Sequence, residues 1–488
     1  MPKSCYNIFD YIMSMLHKKD INALRDFLLR ANRAVITLRD ALYRYTAHDY
    51  QCLLLIVLLA AVLRLPMIDH PPATQFDEVI YADFTIQTIT QKPFFDIHPP
   101  LARIIFTEVA REYFPFSTKL IPLQTNASFE DFPYVPLRTF IACVGILLAL
   151  LLYAIGRVLG YQPRVALLPA CFFIFDSALI VYSRTMHPDT LLLFFNFLAL
   201  LFAFISVRVR IKYIPMLFVI CAGVAIGLAI SIKWTACGVL ATIFLLFLIN
   251  RKFYTIFIFG IVAFVTYITV FTLSFMIYFP NGGNVYDSAQ TFTLPRFSHI
   301  EFPDTHNIVR ILGFLPSFHH KMLNANSDPD LLKMSTKSAN PLAWPVAGSG
   351  TGLVFWTNNI HGEQKIVFAG NTLLFVMSFF ILLFDIAWIA AQLRKKHKWP
   401  IDKNESVLLA GYALNYLPFF LIPRPMYLYH YFTALVFLFL LAPKVLPRII
   451  HCIAILSRDR LFAYVLVSFS LLLIALDFFI NIPVIYGI

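Results

Sequence analysis

The chain has 488 residues, of which 59% are hydrophobic and only 14% are charged, whereas a soluble domain usually has about 25% charged residues. Its mean hydropathy of +0.73, together with 50 Phe and 23 Tyr residues, therefore indicates an integral membrane protein. The net charge of +12 fits basic residues retained on the cytoplasmic side, and because they form no single soluble basic face, it argues against nucleic-acid binding.

Residues 1–50 are polar and basic with apolar residues at helical spacing, which predicts an amphipathic segment on the cytoplasmic membrane surface. Eleven apolar stretches follow, each close to the ~20 residues that cross a bilayer. They are 51–68, 137–157, 164–182, 189–207, 213–231, 235–250, 254–278, 366–390, 405–422, 426–446 and 460–482. The pattern predicts an all-α multipass membrane protein with about eleven transmembrane helices.

The basic residues orient these predicted spans. With the N-terminus in the cytoplasm, every predicted cytoplasmic turn carries Lys or Arg, as the positive-inside rule requires. Two long segments, 69–136 and 279–365, then lie outside, as does the C-terminus. A transporter usually has short loops and internal repeats, so two long external loops favour chemistry at the outer face.

We therefore divide the chain into the cytoplasmic segment 1–50, an N-terminal catalytic membrane region, a second external loop and a C-terminal four-helix membrane region. The last three comprise residues 51–278, which include the first external loop, then 279–365 and 366–488.

The first external loop concentrates polar groups beside a membrane span. Asp77 and Glu78 begin a predicted helix, 77–89, that would lie on the membrane. Acidic residues stabilise a first helical turn by themselves, so this pair also has a purely structural explanation. Pro99 and Pro100 suit the start of a second helix. Its predicted apolar face consists of Leu101, Ile104, Ile105 and Val109.

Short motifs follow one another in a fixed order from about residue 50 to the end of the chain. They are Phe76-Asp77-Glu78, Phe95-Asp96-Ile97-His98-Pro99-Pro100-Leu101, Arg138, Asp176, Ser183-Arg184, Asp189, Ser231-Ile232-Lys233-Trp234, Trp344-Pro345, Gly370-Asn371, Arg424 and Tyr429-His430-Tyr431. In this order and on these sides of the membrane, they resemble those of the protein O-mannosyltransferases, which are polytopic GT-C glycosyltransferases.

The resemblance implies a GT-C fold and transfer of mannose from dolichyl- or polyprenyl-phosphate mannose to Ser or Thr hydroxyls of secreted or membrane proteins. It also implies contact with membrane lipids and a homo- or heterodimer. The enzyme would lie in the endoplasmic reticulum membrane of a eukaryote or the inner membrane of a bacterium, with its active site on the lumenal or extracytoplasmic side. One departure is the second external loop: its 87 residues are too few for the β-trefoil MIR domain of eukaryotic members.

The implied reaction needs a base for the acceptor hydroxyl and cations for the departing phosphate, because a lipid phosphate is already a good leaving group. We assign Asp77 as the base, and Glu78 as a group that positions the acceptor or its backbone. A single carboxylate opposite the phosphate fits single displacement with inversion. The residues expected to bind donor phosphate or sugar are Arg138, Arg184, Lys233, Arg424, His98, His430 and Tyr431. Each also has an ordinary explanation: the cations could be interfacial snorkelling residues, and the other three could be ordinary interfacial packing residues.

We expect no metal and no other cofactor, because basic side chains can balance the phosphate charge. Asp328-Pro329-Asp330 forms a D-x-D motif, but such motifs belong to soluble nucleotide-sugar transferases. His319-His320 lacks the i, i+4 pairing of a metal site, and the seven cysteines are scattered without a CxxC pair. Two alternatives remain open: a GT-C enzyme that adds sugar to a lipid or glycan, and a transporter or scaffold without enzymatic activity.

Overall fold

The structure of the protein is a computed structural model that describes residues 46–122, 124, 126–285, 300–304, 307–327, 339–348, 350–358, 364–422 and 425–488. Most of the amphipathic segment predicted at residues 1–50 falls outside these residues. Arg424, a predicted phosphate ligand, and the acids Asp328 and Asp330 also lie outside the described residues.

The described residues fold mainly into α-helices, joined by short turns and two small antiparallel strand pairs. In chain order, the elements are α1 Ala47–Arg64, α2 Glu78–Ile89, α3 Leu101–Arg111, α4 Tyr134–Val158, α5 Pro163–Ile174, α6 Ser177–Ser183, α7 Asp189–Arg208, α8 Ile214–Ile230, a 3₁₀ turn Trp234–Ala236, α9 Cys237–Ile249, α10 Phe253–Tyr278, β1 Gly283–Asn284, β2 Glu301–Phe302, α11 Ile308–Asn326, a 3₁₀ turn Pro341–Val346, β3 Leu353–Asn358, β4 Gln364–Phe368, α12 Thr372–Lys396, α13 Lys403–Tyr416, 3₁₀ turns Leu417–Leu421 and Leu428–Tyr431, α14 Phe432–Ser457, α15 Arg460–Ile480 and α16 Ile482–Tyr486.

Helices lie within each of the eleven predicted membrane segments, but they differ in length. Among the described residues, seven helices are long and apolar enough to cross a membrane, or eight if the bent pair α5–α6 forms one span. Helix α8 and the segment Trp234–Ile249 are shorter apolar helices. The multipass all-α architecture is confirmed, whereas the number eleven stays a prediction.

The bend between α5 and α6 is explained by Asp176. Its carboxylate accepts hydrogen bonds from the backbone N–H groups of Leu179 (2.9 Å) and Asn371 (3.1 Å), so it caps the start of α6. The chain turns by 70° there. The predicted span 164–182 is therefore two short helices, of which the second leads directly to Arg184.

Close packing of α8 against α10 sets the depth of the turn that follows α8. A Cβ atom added at Gly227 would lie 2.7 Å from the carbonyl oxygen of Ala263, so the two helices touch there. Gly223 approaches Val262 in the same way. The contacts advance along both helices in the same direction, so α8 and α10 run parallel and begin at about the same level. Helix α8 ends after 17 residues, whereas α10 has 26. The turn after α8 consequently lies about 14 Å short of the C-terminal end of α10, at ~1.5 Å per residue.

The two helices of the first external loop are packed differently from the sequence prediction. Helix α2 is buried around its whole circumference, including Tyr81, Asp83 and Phe84, so it does not lie on the membrane surface. Helix α3 buries Arg103 and Phe106 rather than the predicted face. The members of that face, Leu101, Ile104, Ile105 and Val109, are only half-buried. On this buried face, Arg103 pairs with Asp96, and the ring centroid of Phe106 lies 5.8 Å from that of Tyr81. These contacts, rather than the simple hydrophobic pattern, orient the helix.

The second external loop and the C-terminus pack beside the first loop. Strands β3 and β4 pair antiparallel from Leu353↔Phe368 to Asn358↔Gln364, with a bulge between Val354 and Trp356. The imidazole of His70 lies with its Nε2 3.2 Å from the carbonyl oxygen of Gly487, so the C-terminus sits at the same end of the helix bundle.

Candidate active site

Asp77 is held at the entrance of α2 by the second external loop. The preceding residue, Phe76, has a φ of +48°, a left-handed conformation that is uncommon for a bulky side chain. Its N–H donates to the carbonyl oxygen of Phe355 at 3.3 Å, and the two rings stack with centroids 5.0 Å apart. This strained residue aims Asp77 away from the helix core. Within the described part of the chain, the Asp77 carboxylate is half-buried and makes no hydrogen bond.

The surroundings of Asp77 adjust its acidity. Although water reaches part of its surface, Asp77 is recessed among protein groups, and this desolvation raises its pKa to about 7. The positive charge of Lys233 opposes the increase in pKa, and the negative charge of Asp189 adds to it. A carboxylate with a pKa near neutrality is well matched to accept a proton at physiological pH.

Lys233 and Asp189 form a buried ion pair beside Asp77. The Lys233 ammonium donates to both carboxylate oxygens of Asp189 at 2.8 Å and lies 4.9 Å from the ring centroid of Tyr429. Lys233 occupies the recessed turn between α8 and the 3₁₀ turn at Trp234. The Lys233 ammonium group is therefore set back from the C-terminal end of α10 and buried in the protein.

The segment around His98 reaches the same turn from the first loop. The backbone N–H of Leu101 donates to the carbonyl oxygen of Ser231 at 2.9 Å. Asp96 accepts from the backbone N–H of His98 (2.9 Å) and pairs with the buried guanidinium of Arg103 (3.1 Å). Burial raises the pKa of Asp96, while the charge of Arg103 opposes this increase. His98 is thereby fixed, half-buried, on the rim of the same site.

Glu78 faces away from Asp77 and forms a buried ion pair with Arg138. The guanidinium of Arg138 donates to both carboxylate oxygens of Glu78, at 2.9 and 2.7 Å, and neither side chain has exposed surface. Arg138 also donates to the carbonyl oxygens of Pro71 (2.8 Å) and Ala73 (3.0 Å). The Glu78 carboxylate accepts the backbone N–H of Met186 at 2.8 Å. The pair therefore fixes the loop that carries Asp77. Because both side chains are buried and paired with each other in this arrangement, Arg138 does not reach the donor and Glu78 does not reach the acceptor, contrary to the sequence prediction.

Arg184, another predicted phosphate ligand, is also committed to the protein. It donates to the carbonyl oxygens of Arg64 (2.8 Å), Pro66 (2.7 Å) and Met67 (2.8 Å). Its guanidinium carbon lies 4.5 Å from the ring centroid of Tyr486. Arg184 thus joins the turn after α1 to the C-terminal helix, and the structure does not bring it to Asp77.

The Tyr-His-Tyr motif divides between the site and the core. Tyr431 is fully buried, and its hydroxyl lies 3.4 Å from that of Tyr412, which is a core position rather than the predicted ligand position. His430 is half-buried and stacks on Trp344 (centroids 6.2 Å apart) and on Tyr429 (4.4 Å). Tyr429 is the member of the motif that contacts Lys233.

Three residues that carry the site geometry received no role from the sequence. These are Asp96, Asp189 and Tyr429, all of which occur within the recognised motifs. Asp189 had a usable signal, because a carboxylate at the start of an apolar span is costly unless it is paired. The described residues contain no group of three or more His, Cys, Asp or Glu side chains that could hold a metal ion.

Two sequence models of one family match the chain. The first, dolichyl-phosphate-mannose-protein mannosyltransferase, matches residues 54–279, and the second, the C-terminal four-transmembrane region of protein O-mannosyltransferase, matches residues 314–488. The chain belongs to the protein O-mannosyltransferase family. Between them, the two matches contain every described residue of the candidate site, and the family predicted from the motifs is confirmed.

Individual members of the family match over a shorter range. Dolichyl-phosphate-mannose–protein mannosyltransferase 1 of Saccharomyces cerevisiae is 30% identical over 216 residues, covering 42% of this chain and 24% of the yeast protein. Protein O-mannosyl-transferase 1 of Homo sapiens is 30% identical over 190 residues, covering 36% of this chain and 25% of the human protein. The aligned region thus spans about a quarter of the length of these relatives.

Solved structures show the same fold. A chain of the S. cerevisiae protein O-mannosyltransferase Pmt1–Pmt2 complex bound to the sugar donor has a TM-score of 0.74 and 18% identity, covering 93% of this chain and 92% of that chain. The Archaeoglobus fulgidus oligosaccharyltransferase has a TM-score of 0.50 and 15% identity, covering 90% of this chain and 56% of that chain. The predicted GT-C architecture is thereby confirmed.

Proposed function

We propose that this chain transfers mannose from dolichyl- or polyprenyl-phosphate mannose to the hydroxyls of Ser or Thr in proteins. The observation that carries the proposal is the position of Asp77, a carboxylate with a pKa of about 7 that is recessed in the protein beside Lys233. Membership of the protein O-mannosyltransferase family and the names of its relatives support the choice of donor and acceptor.

The chemistry follows from these groups. The acceptor oxygen attacks the anomeric carbon of mannose, and its proton passes to the carboxylate of Asp77. The bond between that carbon and the phosphate oxygen breaks, and the electron pair leaves with the lipid phosphate. Attack opposite the phosphate inverts the anomeric centre, so a β-linked donor gives an α-mannoside. No acid is needed, because the phosphate is a stable leaving group.

Lys233 is the described cation best placed to meet the phosphate, because its charge already acts on Asp77. Before the donor binds, the carboxylate of Asp189 balances the positive charge of the Lys233 ammonium group. A donor phosphate would share Lys233 with Asp189, and Tyr429 would hold the ammonium in place from the other side. His98 and His430 border this region and would contact the sugar or phosphate through hydrogen bonds.

The wider setting follows the same proposal. We infer that the active site faces the lumen of the endoplasmic reticulum in a eukaryote or the outer side of the inner membrane in a bacterium. The acceptors would be secreted or membrane proteins, and the reaction would use no metal or other cofactor. Because the similar yeast structure is a complex of two mannosyltransferases, we also propose a homo- or heterodimer.

The proposal is tested by following the mannose. The full chain in membranes is incubated with radiolabelled dolichyl-phosphate mannose and a peptide rich in Ser and Thr. Label in the peptide, released by α-mannosidase, supports the proposal. Label in lipid or glycan would instead identify another GT-C transferase, and no transfer by folded protein would contradict an enzymatic function. For substitutions of Asp77 in this assay, Asp69→Asn is a suitable control, because Asp69 is an exposed carboxylate of the same first external loop.

A further inference from the structure

Helix α11 of the second external loop contacts both segments that carry the candidate active site. We propose that α11 positions these segments relative to each other, through His319 towards the Lys233 turn and through Asn326 towards the segment that contains His98. The inference rests on the proposed function for its effect on turnover. The contacts themselves are independent of that function.

The first connection is a chain of three hydrogen bonds. The indole N–H of Trp234, the residue after Lys233, donates to the hydroxyl of Tyr267 at 2.9 Å. The Tyr267 hydroxyl lies 2.7 Å from Nε2 of His319, and Nδ1 of His319 lies 2.7 Å from the carbonyl oxygen of Leu315. For a neutral imidazole, only one assignment satisfies all three contacts: the Tyr267 hydroxyl donates to Nε2, and Nδ1–H donates to the carbonyl oxygen of Leu315. Burial lowers the pKa of His319 and so favours this neutral form.

The second connection comes from the end of α11. The side-chain amide of Asn326 donates to the carbonyl oxygen of Ile97 at 2.9 Å and to that of Met322 at 2.9 Å. Ile97 lies between Asp96 and His98, so this bond holds the backbone from which both side chains extend.

The two connections belong to one closed ring. His319 and Asn326 are seven residues apart, so both side chains lie on the same face of α11, about 10 Å apart along its axis. The ring is completed where the Leu101 N–H donates to the carbonyl oxygen of Ser231. Because each segment is attached twice, neither can move away without breaking a hydrogen bond of the ring.

Packing fixes the same face of the helix. Phe318 contacts Phe95 with ring centroids 5.7 Å apart and Phe275 at 5.5 Å, and Met322 is fully buried. The other side of the helix is open: His320 and Leu323 are exposed, and Nε2 of His320 lies 3.2 Å from the side-chain amide nitrogen of Asn324. The sequence pair His319-His320 therefore has one member turned towards the site and one turned away.

The test compares each positioning residue with its neighbour on the exposed face. His319→Phe keeps an aromatic ring but removes both nitrogens, with His320→Phe as its control. Asn326→Ala removes the amide, with Asn324→Ala as its control. Steady-state kinetics with dolichyl-phosphate mannose give kcat and KM, and hydrogen–deuterium exchange reports on residues 97–101 and 231–234 in the full chain.

We expect kcat to fall about 10-fold in each positioning variant while KM for the donor stays within about 3-fold, because misplaced reacting groups slow the chemical step more than binding. The double variant should lose less than the product of the two single losses, because both bonds belong to one ring. Exchange should accelerate in both segments, and the control variants should match the wild type.

Unchanged exchange in both segments, or kcat values equal to those of the controls, would overturn the positioning role. If the wild type transfers no mannose, the proposed function fails, but the exchange comparison still tests the contacts of α11. Loss of folding in His319→Phe would be resolved by Tyr267→Phe, which breaks the same chain by removing only one hydroxyl and should give the same exchange pattern.

Discussion

The charges around Asp77 allow its acidity to be changed in either direction. Replacing Asp189 with Asn removes a negative charge that raises the pKa of Asp77 and leaves Lys233, whose charge lowers that pKa, without its partner. Both changes lower the pKa. Replacing Lys233 with Gln removes the opposing positive charge and raises the pKa. The two substitutions therefore make predictions of opposite sign for one titration.

The size of the effect can be calculated from the starting pKa of about 7. A unit charge at about 4 to 8 Å contributes about 2 to 4 kcal/mol at an effective dielectric constant of about 20, and after screening we expect a shift of at least about one pKa unit. At pH 6, a base with a pKa of about 7 is about 9% ionised, whereas one with a pKa of about 6 is half ionised. Relative to its plateau, Asp189→Asn should therefore be about fivefold more active at pH 6 than the wild type.

The assay is the pH dependence of kcat/KM for the donor between pH 5 and 9. The active form of Asp77 is ionised, so activity rises with pH through the pKa: the midpoint should lie near 7 in the wild type, below 7 in Asp189→Asn and above 7 in Lys233→Gln. The variants are compared by their midpoints and not by their maximal kcat/KM, because Lys233 would also bind the donor phosphate and its replacement would lower the maximum. Identical midpoints in all three proteins would show that Asp77 is not the titrating group.

Three further predictions concern stability, cofactors and topology. Glu78→Gln should lower the free energy of unfolding by about 3 to 5 kcal/mol, because it leaves the buried guanidinium of Arg138 without its charge partner, and thermal unfolding in detergent would measure this. Mannosyl transfer should survive EDTA; a loss restored by Mg²⁺ or Mn²⁺ would contradict a reaction without metal. The chain has two N-glycosylation sequons, Asn126-Ala127-Ser128 and Asn404-Glu405-Ser406. Expressed in a eukaryotic cell, any N-glycan should lie on the exposed Asn126 and none on Asn404, as glycosidase-induced mobility shifts of single Asn→Gln variants would show; a glycan on Asn404 would refute the predicted orientation.

The sequence predicted the elements of the fold well because local patterns determine them. Hydrophobic stretches of nearly constant length located the helices, and the external helix predicted at 77–89 is α2, Glu78–Ile89. The surroundings of that helix could not be predicted, since its side chains contact residues distant in sequence, such as Arg138, which pairs with Glu78, and His187, whose ring centroid lies 6.2 Å from that of Tyr81. The length of an apolar run was also misleading. The run 164–182 is long enough for one span but is broken at Asp176, whose carboxylate accepts a hydrogen bond from the backbone N–H of Asn371, a residue distant in sequence.

The site was predicted in its types of residue but only partly in their roles. Asp77 and Glu78 are adjacent, and successive residues around a helix start point about 100° apart, so one faces the recess and the other enters the core. Sequence spacing does not reveal which cations are already paired. Arg138, Arg184 and Lys233 are all bound to distant protein groups, and Lys233 is the described cation whose charge acts on Asp77.

The most direct test of the central claim is the turnover of Asp77→Asn, which keeps the size of the side chain and removes its basicity. Single-turnover transfer from radiolabelled dolichyl-phosphate mannose to a Ser/Thr peptide would be measured for folded wild-type and variant protein, along with donor binding. We predict that the rate falls at least ~10²-fold, the usual contribution of a general base, while donor affinity is largely kept. A near-normal rate in folded Asp77→Asn would contradict the proposed mechanism.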